Sequence, residues 1–134
     1  SLKLNDFNFL NDSNDFDFIN LQYGNVENEI IDFNKNFKFN IHVIKNLDLF
    51  NDFISVASIL KNIDLFITVS NSTAHLSGAL GVKTLLIKPF NQATFHYWNQ
   101  PGTKTPWYQS VELIDKSLLE NSKLFEKKVL TMLI

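Results

Sequence analysis

The sequence predicts an α/β protein with a Rossmann-like parallel sheet and helices on both faces. The continuously apolar segment Leu65–Val69 is typical of a strand that is buried on both sides, and Val82–Ile87 predicts the next buried strand. Between them, Thr73–Leu80 has the length and the capping residues of a helix that stops at Gly81. A strand, a helix and a second strand in this order form a right-handed βαβ unit, and such units build parallel sheets.

The first half of the chain predicts shorter elements. Phe18–Tyr23 is a strand candidate ended by a glycine, and Val26–Phe33 is long enough for a brief helix or a turn. Phe39–Val43 is a second strand candidate. Apolar residues then recur on one helical face, which predicts a helix over Asp52–Asn62 with Asn or Asp available as its cap.

The second half closes with a loop, a strand and a helix. Phe90–Tyr108 combines many aromatic residues with prolines and a glycine, which predicts a long and ordered loop of the kind that carries function. Its Tyr97 and Trp98 could stack on a ligand or cover the sheet, whereas we expect Trp107 to cover it. Val111–Ile114 predicts the last strand, and Ser117–Leu133 predicts a closing helix capped by Asp115 or Ser117.

Length and composition indicate one globular domain. The chain has 134 residues, of which 45% are hydrophobic and 19% charged. We expect residues 18–134 to form the domain and residues 1–17, where Asn and Asp alternate with aromatic residues, to form a lead-in or interdomain segment. The chain starts without a methionine and ends abruptly, so we expect it to be a piece of a longer protein.

Charge and cysteine content exclude several partners. The net charge is −2 and the lysines are scattered, so neither nucleic acid nor an anionic lipid surface is an expected partner. The absence of cysteine excludes disulfides and thiol chemistry, and no apolar run is long enough for a membrane span. We therefore expect a cytoplasmic protein.

An anion-binding site is predicted where the strand Leu65–Val69 leads into the next helix. The first N–H groups of a helix lack intrahelical acceptors, and the helix dipole favours negative charge there. Short polar side chains add hydrogen-bond donors, and an imidazole follows within the first two turns. These residues are Ser70, Asn71, Ser72, Thr73 and His75. The alternative is a core helix merely capped by Ser72 or Thr73, with His75 filling a polar gap between helix and sheet.

Three stretches of interest lie at the ends of predicted strands. They are Gln22-Tyr23-Gly24, the segment from Ser70 to His75, and the loop after Ile87. Ligands of parallel sheets bind at the carboxyl ends of the strands, so we expect these stretches to converge on one edge.

Weaker patterns point to no further chemistry. Asp15-Phe16-Asp17 matches an Asp-x-Asp metal motif but lies in the biased leader, where we regard it as chance. None of the histidines, His42, His75 and His96, has a second ligand at helical or hairpin spacing, so no metal site is expected. A serine hydrolase is disfavoured because Ser72 lacks the flanking glycines of a nucleophile elbow.

The segment Asp64–Gly81, followed by Val82–Ile87, resembles the carboxy-terminal half of GT-B glycosyltransferases. It is most similar to the heptosyltransferase-like group, including forms attached to tetratricopeptide repeats. In that group a strand leads through a polar turn into a His-Leu-Ala-Gly-Ala-Leu-Gly-like helix, which His75–Gly81 matches. Further similar pieces occur in family order, and the resemblance runs from Phe18 to Ile114. These pieces are Asn20-Leu21-Gln22-Tyr23-Gly24, Asp52-Phe53 and Pro106-Trp107-Tyr108.

The resemblance implies a donor site for a nucleotide sugar. In this family the second Rossmann-like domain holds most of the donor, and a first domain, absent here, binds the acceptor. Carried over by position, Ser70, Asn71, Ser72, Thr73 and His75 hold the diphosphate and the adjacent sugar. Gln22, Tyr23 and Gly24 form the opposite lip of the cleft. Hydrogen-bond donors at the helix start stabilise the negative charge that builds on the leaving nucleoside diphosphate, so neither a metal nor a cofactor is expected.

Two positions depart from the family. Many relatives have an acidic residue where Ser70 stands, and another where Ser55 stands. Two functions therefore remain open. One is the donor-binding domain of a metal-independent glycosyltransferase that acts on a glycan, lipid or protein acceptor and is inactive without its acceptor domain. The other is a non-catalytic α/β binding module derived from a degenerate glycosyltransferase.

Overall fold

The structure, a computed structural model, describes residues 2–7, 16–37, 40–88 and 97–134. Within these ranges every pairing between named strands is parallel, and a helix lies between each strand and the next among the first four strands of the chain. The predicted α/β class with parallel strands is therefore confirmed. The chain divides into two compact units, Ser1–Val56 and Ala57–Ile134, and each is described by itself.

The first unit contains two short strands that pair with each other, and one helix lies between them in the sequence. Strand β1 (Phe18–Ile19) lies parallel to β2 (Ile41–His42), and helix α1 (Glu27–Asn36) connects them. Helix α1 buries Ile30 and Phe33, which are one turn apart and so share one face. A helix is thus the outcome for the stretch predicted as a helix or a turn.

Both strands are shorter than predicted, and asparagine side chains hydrogen-bond to the backbone at or next to each of them. The Asn20 side chain accepts from Gln22 N at 3.1 Å and donates to Gln22 O at 3.2 Å, which turns the chain after Ile19. Asn34 of α1 likewise accepts from Ile41 N at 2.8 Å and donates to Ile41 O at 3.2 Å. Phe39, the predicted start of the second strand, lies outside the described residues.

Helix α2 (Phe53–Asn62) forms where the apolar spacing predicts it. Asp52 caps it, since one carboxylate oxygen accepts from Ser55 N at 3.0 Å. The other oxygen accepts from the Ser55 hydroxyl at 2.6 Å. These hydrogen bonds from Ser55 lower the pKa of Asp52, so the cap is ionised at neutral pH.

The second unit contains a three-stranded sheet in the order β3-β4-β5. Its strands are β3 (Phe66–Thr68), β4 (Thr84–Lys88) and β5 (Val111–Asp115). The central strand β4 is buried over its first four residues, as expected for the buried strand predicted over Val82–Ile87.

Helix α3 (Ser72–Ala79) connects β3 to β4 and packs closely because its buried residues are small. Thr73, Ala74 and Ser77 form this buried face. The Thr84 hydroxyl of β4 donates to Ser77 Oγ at 2.9 Å, which links helix and strand directly. The helix is followed by Gly81 at a φ of 71°, the left-handed conformation for which glycine is suited.

Residues 97–110 contain no helix or strand apart from an isolated antiparallel bridge between Lys104 and Glu112. The described part of the predicted aromatic loop is therefore a loop, and its residues 90–96 lie outside the described ranges. Trp98 is fully buried and belongs to the core, against which Tyr97 and Tyr108 pack. The other core members are Ala74, Leu86, Val111 and Leu113.

The closing helix begins later than predicted. A 3-10 helix, Lys116–Glu120, follows β5, and helix α4 runs over Ser122–Leu133. Asn121 caps α4 by accepting from Leu124 N at 3.2 Å, so the predicted caps Asp115 and Ser117 are wrong. Phe125 and Val129, four residues apart, are buried and form the apolar face of α4.

Candidate functional site

The start of α3 is organised by Asn71. Its side-chain oxygen accepts from Ala74 N at 2.8 Å, which makes it the N-cap. Its amide nitrogen donates to Thr68 Oγ1 at 3.1 Å and so ties the cap to the end of β3. The cap is therefore Asn71 and neither Ser72 nor Thr73, and its side chain has its hydrogen bonds within the fold.

The next two residues leave donors available at the helix start. In the part of the chain that the structure describes, no acceptor receives the backbone N–H of Ser72 or Thr73. Ser72 is exposed, whereas the Thr73 side chain is buried. Since α3 directs the positive end of its dipole here, two N–H groups and the Ser72 hydroxyl form an environment that favours an anion.

His75 lies one turn further along α3 within a cluster of aromatic rings. Its Nδ1 is 2.9 Å from the Tyr108 hydroxyl oxygen, and within the described ranges no protein atom is hydrogen-bonded to Nε2. Its ring centroid is 4.8 Å from those of both Tyr97 and Trp98 and 5.7 Å from that of Tyr108. Burial among these rings lowers the pKa of His75 from its ordinary value of 6.5, so the imidazole is neutral at physiological pH.

Ser70 joins the helix start to the aromatic loop. The indole N–H of Trp98 donates to Ser70 Oγ at 3.1 Å. An accepting hydroxyl keeps its own proton, so Ser70 can still donate to a ligand. Trp98 itself is fully buried, and among the two roles left open for it the burial favours covering the sheet over stacking on a ligand.

The lack of a side chain at Gly78 leaves room for the Tyr108 ring against helix α3. A Cβ atom at position 78 would lie 2.5 to 2.9 Å from three atoms of the Tyr108 ring, distances that real Cβ contacts do not reach. The Tyr108 ring thus rests directly on the backbone of α3, one turn beyond His75. Residues three apart share a helix face, so His75 and Gly78 together form the surface that Tyr108 covers.

The predicted opposite lip lies in the first unit. Gln22 and Tyr23 are exposed, as is Gly24, which has a φ of 101°. The Gln22 side chain donates to Tyr23 O at 3.2 Å, and the Tyr23 ring meets Phe50 edge to face at 5.5 Å. The predicted convergence of this lip with the residues from Ser70 to His75 stays a prediction.

The two serines at which the sequence departs from the family it resembles, Ser70 and Ser55, have structural partners here. Ser70 accepts from Trp98, and Ser55 donates to the cap Asp52. Both hydroxyls therefore form hydrogen bonds within the fold. Unlike a carboxylate, they bring no negative charge to these positions.

Sequence reasoning did not include Tyr108, Gly78 or Lys88 among the site residues. Lys88 ends the central strand, with its ammonium 3.5 Å from the Asp115 carboxylate and 3.4 Å from Gln100 O. The signal that pointed toward Tyr108 was the aromatic density of the loop, but only the folded chain shows which ring meets His75.

Other candidate sites are few in the described residues. No group of three His, Cys, Asp or Glu side chains there is arranged to hold a metal ion. A hollow of about 440 Å³ lies between the N-terminal residues and α1, where Lys3, Glu29 and Asp32 line it, and no predicted site residue borders it. None of the helices in these ranges has the length and apolar character needed to cross a bilayer.

Fold and site together define a parallel α/β protein with a polar, aromatic-walled helix start at the carboxyl end of a strand. In sequence, the chain is 35% identical over 95 residues to Protein FlbA of Caulobacter vibrioides. The match covers 70% of this chain and 15% of that protein, so the chain spans a small part of its relative's length. No family model matches the chain, and no solved structure matches it.

Proposed function

We propose that this chain is the donor-binding domain of a metal-independent GT-B glycosyltransferase of the heptosyltransferase-like group. It binds the diphosphate of a nucleotide sugar at the start of α3. A separate acceptor domain of the same parent protein, in the cytoplasm, completes the active site and binds the glycan, lipid or protein that receives the sugar.

One observation carries the proposal. The N–H groups of Ser72 and Thr73, which have no acceptor among the described residues, lie at the N-terminus of α3, and a partly buried imidazole follows one turn later. The Cα–Cβ bonds of an α-helix tilt toward its N-terminus, which favours an approach of the His75 imidazole to those N–H groups. A diphosphate needs several donors converging on neighbouring oxygens, and this arrangement supplies them without a cation.

The chemistry of sugar transfer suits such a site. When the bond between the sugar and the nucleoside diphosphate breaks, negative charge grows on the departing phosphate oxygen. Donors that already point at this oxygen stabilise the charge without reorganising. Ser72 and Thr73 contribute backbone N–H groups, and His75 contributes an imidazole N–H. Ser70 adds its hydroxyl proton.

A second candidate function is a non-catalytic binding module derived from such a transferase. It is favoured by the hydrogen bonds of Ser70 and Ser55, which serve the fold at positions where many relatives carry a carboxylate. A module of this kind would keep the fold and lose donor binding.

Binding of nucleotides separates the two candidates. Thermal unfolding is measured with UDP, GDP, ADP and CMP and their common sugar conjugates. A ligand at a hundred times its dissociation constant stabilises the folded state by about 2.7 kcal/mol, which raises the melting temperature by several degrees. We expect a shift with one nucleotide that His75→Ala and Ser72→Ala reduce.

Two matched variants serve as controls for this experiment. His42→Ala removes an exposed histidine of the first unit, and Ser58→Ala removes an exposed serine of α2. Neither is expected to change the shift. If no nucleotide stabilises the wild-type chain, the non-catalytic module becomes the better description.

A further inference from the structure

The hydroxyl of Tyr108 makes the one hydrogen bond to the His75 ring found in the described part of the chain. We infer that Tyr108 is a positioning residue, which holds the proton of His75 on Nε2 and thereby presents an imidazole N–H to the ligand. The identity of the ligand rests on the proposed function. The protonation state of His75 is argued from the contacts around Tyr108.

Packing holds the Tyr108 ring in place. On one side the ring lies against Gly78, where even a methyl group would collide with it. The Trp98 ring lies 5.9 Å away between centroids at an interplanar angle of 31°. A tyrosine held by these two contacts delivers its hydroxyl to a defined point, and that point is 2.9 Å from His75 Nδ1.

The direction of this hydrogen bond follows from the chemistry of the two groups. A phenol is a better donor than acceptor, and the unprotonated nitrogen of a neutral imidazole is a good acceptor. Burial keeps His75 neutral by lowering its pKa. The Tyr108 hydroxyl therefore donates to Nδ1, and the single imidazole proton resides on Nε2.

The consequence concerns the ligand. Nε2 has no hydrogen-bond partner among the described residues. The tilt of helical Cα–Cβ bonds toward the N-terminus favours an approach of the ring to the start of α3. With the proton on Nε2, this nitrogen can donate to a phosphate oxygen. With the proton on Nδ1, it would direct a lone pair at the anion and weaken binding. Tyr108 thus acts on the ligand through His75 and needs no contact of its own.

The tautomer is measured directly by NMR. Long-range ¹H–¹⁵N spectra of the ¹⁵N-labelled chain separate protonated from unprotonated imidazole nitrogens, and the His75→Gln variant identifies the signals of His75. We expect Nε2 protonated and Nδ1 unprotonated in the wild type without ligand. Tyr108→Phe, which keeps the ring on Gly78, is expected to give a mixture of both tautomers.

A matched control is Tyr97→Phe, because Tyr97 contacts the same imidazole through its ring. This variant is expected to leave the His75 signals at their wild-type positions. A wild-type chain with Nδ1 protonated, or a Tyr108→Phe variant with an unchanged tautomer, would overturn the inference.

Binding of UDP, GDP and ADP, measured by titration calorimetry, tests whether the Nε2 proton of His75 contributes to ligand binding. Tyr108→Phe is expected to weaken the nucleotide that binds by about threefold to tenfold, the worth of one hydrogen bond. In a His75→Ala background the same change is expected to have no effect, because the residue acts through the imidazole. Equal weakening in both backgrounds would overturn the positioning role.

The two measurements distinguish failure of the inference from failure of the proposed function. The expected tautomer in a chain that binds none of the three nucleotides supports the Tyr108–His75 arrangement and contradicts donor binding. Nucleotide binding with a proton on Nδ1 contradicts the Tyr108 arrangement and leaves donor binding standing.

Discussion

Replacing Gly78 with alanine tests the packing that underlies the site. Gly78 lies inside α3 and its φ is outside the left-handed region, so alanine fits the backbone and by helix propensity alone would stabilise by about 1 kcal/mol. The new Cβ, however, would lie 2.5 Å from Tyr108 Cγ. Because Cγ is the stem of the ring, the ring cannot turn aside without moving the loop.

The expected net effect of Gly78→Ala is a loss of stability. Overpacking of this kind costs about 1–3 kcal/mol. Displacing the ring also loses the hydrogen bond to His75, worth about 0.5–1.5 kcal/mol. Both terms oppose the propensity gain of about 1 kcal/mol, so we expect the free energy of unfolding to fall by about 0.5–3.5 kcal/mol.

Urea unfolding of four chains provides the assay: wild type, Gly78→Ala, Tyr108→Ala and the double variant. In the Tyr108→Ala background the collision is absent, so Gly78→Ala is expected to stabilise by up to about 1 kcal/mol. The sign of the effect thus reverses with the presence of the ring. A stabilising Gly78→Ala in the wild-type background, or an equal loss in both backgrounds, would refute this reasoning.

Three further changes probe the second unit. The folded-state pKa of His75 lies below 6.5, so its contribution to stability is complete above that pH and declines as the pH falls through 6.5 toward the folded value. Urea unfolding across this range is expected to show a shallower decline for His75→Gln, and identical slopes would contradict the buried imidazole. Asn71→Ala removes the cap of α3 and is expected to lower the free energy of unfolding by about 1 kcal/mol, whereas Asn71→Ser retains most of it; equal losses would argue against capping. Burial of Glu112 opposes its ionisation, but hydrogen bonds from Lys104 and Lys128 outweigh it and lower its pKa. Glu112→Gln is therefore expected to destabilise the chain above the ordinary carboxyl pKa of 4.5 and to lose this effect in acid, which a pH series of thermal melts would check.

Much of the fold is encoded locally. The apolar run Leu65–Val69 and the spacing after Asp52 predict β3 and α2 because burial and helical periodicity act over a few residues. Local signals fail where side chains intervene in backbone pairing. Asn20 turns the chain after the first strand of the first unit, and Asn121 begins α4 in place of the two predicted caps.

The candidate site divides in the same way. The sequence predicts a strand that leads into hydroxyl residues and a histidine, and it predicts that such a helix start favours an anion. The roles within the stretch are less legible, because Ser70, Asn71 and Ser72 have similar side chains. The fold assigns Asn71 to the cap and Ser70 to Trp98, and leaves Ser72 exposed.

The sequence by itself determined the α/β class, the parallel strands and the position of the helix start, since each depends on residues that are close together in the chain. Only the tertiary structure decided which aromatic residue meets His75. Tyr108 is 33 positions away in the chain, and Trp98 is 28 positions from Ser70. No local pattern ranks one ring of an aromatic loop above another, because the choice depends on packing across the sheet. Gly78 shows the reason most clearly, for its lack of a side chain has meaning only once the Tyr108 ring lies upon it.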